Sequence, residues 1–335
     1  TLLPVSFPSI LVNSNVGIAV GMASSICPFN LAEVCETAAA LIRDPAHPVE
    51  STLKGPDFPI GGQILYDPVE LRKVYETGRG AIRVRSRYRY DKDANCIEIT
   101  EIPPTTTVEA IIDKVVELVK GGRAREIADV RDETDLSGLK LTIDCKRGTD
   151  PDALMKKLFK LTPLEDSFSC NFNVLVGLTP KVMGIREILE EWTAFRLECV
   201  RRRIHFELKR KQDKLHLLKG LEKILLDIDQ AIRIVRETEE EREVVPNLMI
   251  GFGIDEAQAE FVAEIRLRQL NREYILKRTD EIADLEKSIA EMQETLKSRS
   301  KLLGVIVAEL KSVAKKYGQP RRSEIVYAAE EEEEE

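Results

Sequence analysis

Apolar residues recur along this chain with two different periods, and the pattern changes near Gly184. Residues 1–15 read as extended, because Pro4 and Pro8 each push the preceding residue out of the helical region, and Asn13-Ser14-Asn15 then reads as a turn. The next stretch, residues 16–23, is small and apolar. Asn30 followed by Glu33 resembles a capping box and starts a helix through about Arg43, which Asp44-Pro45 ends. A strand is expected over residues 81–90, where period two puts Arg83, Arg85, Arg87 and Arg89 on one face and Ile82, Val84, Tyr88 and Tyr90 on the other. The turn at 91–95 returns into a strand at 96–102. A helix follows from Thr107 to the Gly121-Gly122 stop, burying Ile111, Val115 and Leu118. Short strands are expected near 127–130 and 139–145, then a helix capped by Asp150 with Pro151 at its first position, then a strand at 172–178. After the first strand the order is βαββαβ, an α+β sandwich.

Beyond Gly184 the pattern is helical. Leu221, Leu225, Ile228, Ile232 and Val235 alternate spacings of 4 and 3, and Ile282, Leu285, Ile289, Met292, Leu296, Leu303, Ile306, Leu310, Val313 and Tyr317 hold a heptad register through the polar gap at Arg299. Two long helices that pair antiparallel are expected, the second of about 38 residues and roughly 57 Å. Between them, residues 238–279 hold Leu248, Met249, Ile250, Phe252, Ile254, Phe261 and Ile265. A segment of that length is too short to enclose so much apolar surface by itself, so a contact with a second copy through these residues is expected.

The 335 residues include 50 Lys and Arg against 58 Asp and Glu, and Glu330 to Glu335 supply six of the negatives. Removing those six from −8 leaves −2 for the body, so the acidity is largely a tail effect. Near neutrality leaves a nucleic-acid partner open, because positive charge is clustered. Arg201-Arg-Arg203 with Lys209, Arg210, Lys211 and Lys214 nets +5 against Glu207 and Asp213. Both this cluster and the arginine strand fit either phosphate contacts or a solvated face, the strand with Glu98 as a cross-strand partner. The six cysteines are scattered without a Cys-x-x-Cys pair, and the three histidines do not accompany them at ligand spacing, so reduced thiols, no metal and a cytoplasmic setting are expected. No apolar run approaches a membrane span. Tyr88 and Tyr90 each follow an arginine, yet successive strand residues point to opposite faces, so neither arginine serves its neighbour as a catalytic pair. Asp91-x-Asp93 reads as a hairpin tip. Gly17 and Gly21 lack the Lys-Ser/Thr of a phosphate loop.

Longer motifs point further. Leu11-Val-Asn13, Gly17-Ile-Ala-Val-Gly-Met-Ala23, Asn30-Leu31, Gly55-Pro-Asp-Phe-Pro59, Thr77-Gly-Arg-Gly80, Glu101-Ile-Pro103, Arg131-Asp-Glu133, Asn171, Pro180-Lys181, Arg201-Arg-Arg203, Phe206-Glu-Leu208 and Arg266-Leu-Arg268 with Leu270 together resemble the A subunit of bacterial type IIA DNA topoisomerases, gyrase and topoisomerase IV. The resemblance implies an α/β tower domain at 1–183 with an entry segment at 1–30. It implies coiled-coil arms at 184–237 and 280–320, a small helical dimerisation globule at 238–279, and an acidic tail or linker at 321–335. It implies that the family's winged-helix domain with its nucleophilic tyrosine lies upstream of Thr1 and its DNA-wrapping domain beyond Glu335, leaving no catalytic residue in this piece.

By the same resemblance Ile18 is the residue that wedges between base pairs, although on pattern alone it reads as packed core. Asn13, Gly17, Arg79, Arg83, Arg85 and Arg87 are implied DNA contacts. The implied partners are double-stranded DNA, a second copy through the globule, and a B subunit in an A2B2 assembly that supplies Mg²⁺ and ATP; the implied setting is the bacterial cytoplasm at the nucleoid. Two positions depart from the family pattern, Asn13-Ser14-Asn15 for Asn-Gly-Ser and Ile26-Cys-Pro-Phe-Asn30 for Ile-Pro-Pro-His-Asn, and the second leans toward topoisomerase IV. The rival class is a non-enzymatic DNA-organising protein whose whole function is an arm with a dimerising tip.

Overall fold

The computed structural model describes residues 2–327 and is α+β, with eleven α-helices and twelve strands among the described residues. It divides into two compact units, Thr1–Arg196 with Val307–Glu335, and Leu197–Ile306. No helix among the described residues is long and apolar enough to cross a membrane.

In the first unit a short helix α1 (Ser9–Val12) buries Leu11 and leads into the hairpin β1 (Asn15–Ala19) and β2 (Met22–Ile26). Helix α2 (Leu31–Arg43) starts where the sequence placed it, because the Asn30 side chain accepts the backbone N–H groups of Ala32 and Glu33. Next come β3 (Gln63–Leu65), α3 (Pro68–Thr77) and β4 (Arg79–Arg85). Then follow β5 (Arg87–Asp91), β6 (Cys96–Glu101), α4 (Val108–Lys120), β7 (Ile127–Asp132), β8 (Leu141–Cys145), α5 (Pro151–Leu161) and β9 (Glu165–Asn171). A separate ribbon of β10 (Asn173–Val176) and β11 (Thr179–Val182) precedes the long helix.

The βαββαβ order is present from β6 to β9, but its last strand joins a different sheet. Strands β5-β6-β8-β7 form a four-stranded sheet whose Ile97, Ile99, Leu141 and Ile143 pack on Ile111, Val115 and Leu118 of α4 and Leu154, Met155 and Leu158 of α5. Strand β9 lies instead between β2 and β4 in the six-stranded sheet β1-β2-β9-β4-β3-β12.

Three expectations are corrected here. The strand expected at 81–90 breaks at Ser86, which is buried and donates its N–H to Leu164 O at 2.8 Å, so β4 and β5 belong to different sheets and the arginine row is divided. The strand expected at 172–178 is half of the β10–β11 ribbon. Residues 321–327 are not a linker: β12 (Glu324–Val326) pairs parallel to β3, and Ser323, buried, accepts Phe58 N–H while its hydroxyl donates to Gly61 O. The glutamate run itself lies outside the described residues.

The helices are also more divided than the heptads implied. Helix α6 (Ile185–Leu226) ends at Asp227, whose side chain caps α7 (Ile228–Glu237) by accepting Gln230 N–H. After α8 (Val244–Phe252) and α9 (Glu256–Ala263), α10 (Arg272–Lys297) stops at Ser298, which is extended, and α11 (Arg299–Tyr317) begins. That break shifts the buried stripe to Leu302, Ile306 and Leu310, where Leu303 was expected.

Within the second unit, Lys214 pairs with Glu281 and Lys219 with Glu286 between α6 and α10. The segment 238–279 buries part of its apolar surface against residues of α6, α7 and α10. Leu248, Ile254, Ala259 and Val262 form one core with Leu218, Leu221, Ile224, Ala231 and Ile282.

Candidate nucleic-acid interface

The β1–β2 hairpin exposes most of what it carries. Ile18 pairs in register with Ala23, yet its side chain is 91% exposed; Val20 is fully exposed, Val16 is 62% exposed, and no charged residue lies between Val16 and Ile26. Gly21 turns the hairpin at φ +77, a conformation that strains an L side chain. An apolar finger held in water is the signature of a surface that meets something else.

Its base is held by a few hydrogen bonds. The Asn15 amide donates to Ile10 O at 2.8 Å and Asn13 O at 2.9 Å. Ser25 pairs with Asn171 of β9, the Asn171 and Asn173 amides both donate to Ala23 O, and the Ser24 hydroxyl donates to Asn173 O. Asn171 in turn pairs with Arg79 at the start of β4, so Ser25, Asn171 and Arg79 stand in one line across three strands.

The Thr77-Gly78-Arg79-Gly80 turn presents that arginine. Gly78 caps α3 at φ +74, where a Cβ would come within 2.4 Å of Met183 O, and the Thr77 hydroxyl accepts Arg79 N–H. Only glycine fits at 78. The Arg79 side chain is exposed and makes no ion pair among the described residues. An uncharged apolar finger and an unpaired guanidinium on one sheet suit a phosphate-bearing ligand with stacked apolar faces.

Residues 1–311 match the family model for the A subunit of DNA gyrase/topoisomerase IV. The chain belongs to that family. It is 35% identical over 335 residues to the A subunit of DNA gyrase from Borreliella burgdorferi, covering 98% of this chain and 41% of that one. It is 36% identical over 330 residues to the gyrase A subunit of Clostridium acetobutylicum, with 97% and 40% covered. The chloroplastic/mitochondrial gyrase A subunit of Arabidopsis thaliana is 34% identical over 330 residues, with 96% and 35% covered. The chain therefore spans about two fifths of the length of such relatives. All three are named as gyrase subunits, and none of them supports the lean toward topoisomerase IV.

Other implied contact residues of this A-subunit family chain fare differently. Asn13 is exposed just before the hairpin and Gly17 is exposed within its first strand. Arg83, Arg85 and Arg87 are engaged across strands: Arg83 and Arg85 both bond to Glu165, Arg85 at 2.9 Å, and Arg87 meets Glu101 at 3.0 Å and Glu324 at 2.6 Å. Arg89 stands opposite Glu98 in the β5–β6 register and pairs with it. The guanidinium groups of the row thus all engage carboxylates in ion pairs across strands.

The basic cluster on α6 is also partly committed, since Arg201 pairs with Glu198, Lys209 with Asp213 and Lys214 with Glu281. The Tyr88 hydroxyl donates to Asp152 at 2.6 Å, and burial followed by that bond pushes its pKa well above the ordinary tyrosine value. A phenol that holds its proton so firmly is a poor nucleophile. Tyr90 donates to Asn95 at 2.6 Å. Asp91 accepts the N–H groups of Asp93 and Ala94, closing a turn. The carboxylate of Glu98 lies near Asp91 and Cys96 but is taken up by Arg89 and Lys140.

Of the residues expected at a contact between copies, Leu248 and Ile254 are buried in the core of their own unit. Met249, Phe252, Phe261 and Ile265 are half-buried against that core, and only Ile250 is substantially exposed, at 83%. Leu267, which the sequence placed among the apolar residues of this segment but not among the expected contact residues, is exposed by 81% at the rim of an apolar groove of about 320 Å³ lined by Ile228, Ile232, Val235 and Ile265. The Arg266-Leu-Arg268 motif was the available signal.

Proposed function

We propose that this chain is the DNA-gate platform and exit gate of the breakage-reunion subunit of an ATP-dependent type II DNA topoisomerase. The observation that carries the reading is Ile18, an apolar side chain standing in water on a hairpin anchored to the strand that positions Arg79. Wedging between two base pairs costs a few kcal/mol of stacking, and the burial of Ile18 together with the backbone contacts a bent duplex makes offset it. Arg79 holds a phosphate near the bend, with Asn13 and Gly17 against the backbone.

In this reading residues 1–183 form a tower, 184–237 and 280–320 pair as antiparallel coiled-coil arms, and 238–279 is the dimerisation globule, joined two-fold through Ile250, Leu267 and the adjoining groove. A B subunit contributes Mg²⁺ and ATP hydrolysis in an A2B2 assembly at the bacterial nucleoid. Neither Tyr88 nor Tyr90 serves as nucleophile, so the 335 residues alone neither cleave nor relax DNA. The test is fluorescence transfer between the ends of a short duplex. The chain should shorten the end-to-end distance, and Ile18→Ala should bind without shortening it. Bending that survives Ile18→Ala would overturn the assignment.

A further inference from the structure

Beneath the hairpin lie two thiols that the reading above does not use. Cys27 directly follows β2, and Cys170 is the penultimate residue of β9. Cys27 is fully buried and Cys170 is 5% exposed, and their sulfurs are 3.9 Å apart, van der Waals contact between unbonded sulfurs. Both thiols are free.

The seam above them has the fewest backbone register pairs in the six-stranded sheet. Strand β4 meets β9 through seven register pairs, whereas β2 meets β9 through the single pair Ser25↔Asn171, helped by the side-chain bonds of Ser24, Asn171 and Asn173. Local opening is drawn from such low-stability connections. Cys170 lies in β9 and Cys27 directly follows β2, so an opening of this seam occurs beside both sulfurs. While the seam is closed, burial holds the Cys27 thiol protonated, so its reaction waits for the opening.

We propose that Cys27 and Cys170 are a redox-sensitive thiol pair, which peroxide converts to an internal disulfide that staples the β1–β2 hairpin to β9. One thiolate attacks a peroxide oxygen and the O–O bond breaks, giving a sulfenic acid and water. The second thiolate attacks that sulfur, the S–S bond forms, and the sulfenic oxygen leaves as a second water. Two thiols lose two electrons and two protons, and one hydrogen peroxide is reduced to two waters. The staple ties the end of β2 to β9 across this seam.

The experiment treats the native chain with hydrogen peroxide, blocks remaining thiols by alkylation, digests without reduction and reads the peptides by mass spectrometry. The partly exposed Cys199 is the internal control for oxidant delivery. The expected result is a linked pair of peptides carrying Cys27 and Cys170, lost in Cys27→Ala and in Cys170→Ala and reversed by dithiothreitol. Amide exchange over residues 22–26 slows by about tenfold once the bond forms. Recovery of Cys27 and Cys170 as separately alkylated peptides after Cys199 has been oxidised would overturn the proposal. A Cys96–Cys145 link in place of theirs, or unchanged exchange at 22–26 after linkage, would do the same. Because the readout needs no DNA, it stands or falls separately from the wedge role of Ile18.

Discussion

Arg321 and Glu33 stand 288 residues apart in the chain, and the guanidinium of one donates to the carboxylate of the other at 2.6 Å. Arg321 also donates to Gly55 O and Pro56 O, and Glu33 accepts Lys54 N–H, so one arginine ties the returning chain to the loop after α2. Arg321→Ala leaves a largely buried carboxylate without its cation and should cost about 1–3 kcal/mol. Urea unfolding of the chain measures it; a midpoint equal to wild type would mean that the strand β12 alone secures the return.

Ile18→Ala should leave thermal stability within about 0.5 kcal/mol, because an exposed side chain has no packing to lose. A loss on the scale of a core leucine would place Ile18 inside the fold and remove the basis of the wedge.

The slope of log affinity against log salt should separate the arginines. Arg79→Ala should reduce it by about one unit if the side chain neutralises one phosphate. Replacing Arg83, Arg85 and Arg87 together with Ala should leave the slope nearly unchanged while lowering stability, since Glu165 and Glu101 lose their partners. A fall in slope of several units in the triple variant would mean that the row contacts phosphates.

Glu281 supplies a pH dependence. A hydrogen bond from Lys214, with a further one from Arg278, holds its carboxyl below the ordinary value of 4.5 against the opposing effect of burial. The folded state therefore binds this proton less readily than the unfolded one, so its contribution is complete above about pH 4.5 and is lost as pH falls through the lower folded value. Melting followed by circular dichroism should show a steeper loss below that pH in wild type than in Glu281→Gln. Identical profiles would assign the acid sensitivity to other carboxylates.

Sedimentation at micromolar concentration tests the gate. Ile250→Glu should yield folded monomers, because Ile250 lies on the surface, whereas Leu248→Ala should cost about 2–5 kcal/mol of stability by opening a cavity in the unit's core. A dimer that tolerates Ile250→Glu together with Leu267→Glu would put the contact elsewhere.

The elements that were legible along the chain are those whose signals are local. Asn30, Thr107 and Asp150 each cap the helix that follows, with bonds to backbone groups two or three residues on. The Ile111, Val115 and Leu118 stripe needs only the helical period. The family motifs were equally legible, including the Thr77-Gly78-Arg79-Gly80 turn, whose glycine answers to a contact with Met183 O.

What the sequence pattern left open depended on partners distant in the chain. Strand β9 reads Glu-Asp-Ser-Phe-Ser-Cys-Asn, too polar to announce itself, yet it runs down the middle of the larger sheet and brings Glu165 to arginines some 80 residues earlier. The arginine face was therefore real as a pattern, while its carboxylate partners outside the β5–β6 hairpin, where the sequence already offered Glu98, come from strands distant in the chain. The heptads ran on across Asp227 and Ser298 because side-chain spacing is blind to a backbone that leaves the helical region. Ile18 shows the same division most plainly. An isoleucine in an apolar run is hydrophobic wherever it sits, and whether it is core or finger was settled by tertiary packing, since among the described residues no element covers its face on the outermost strand β1.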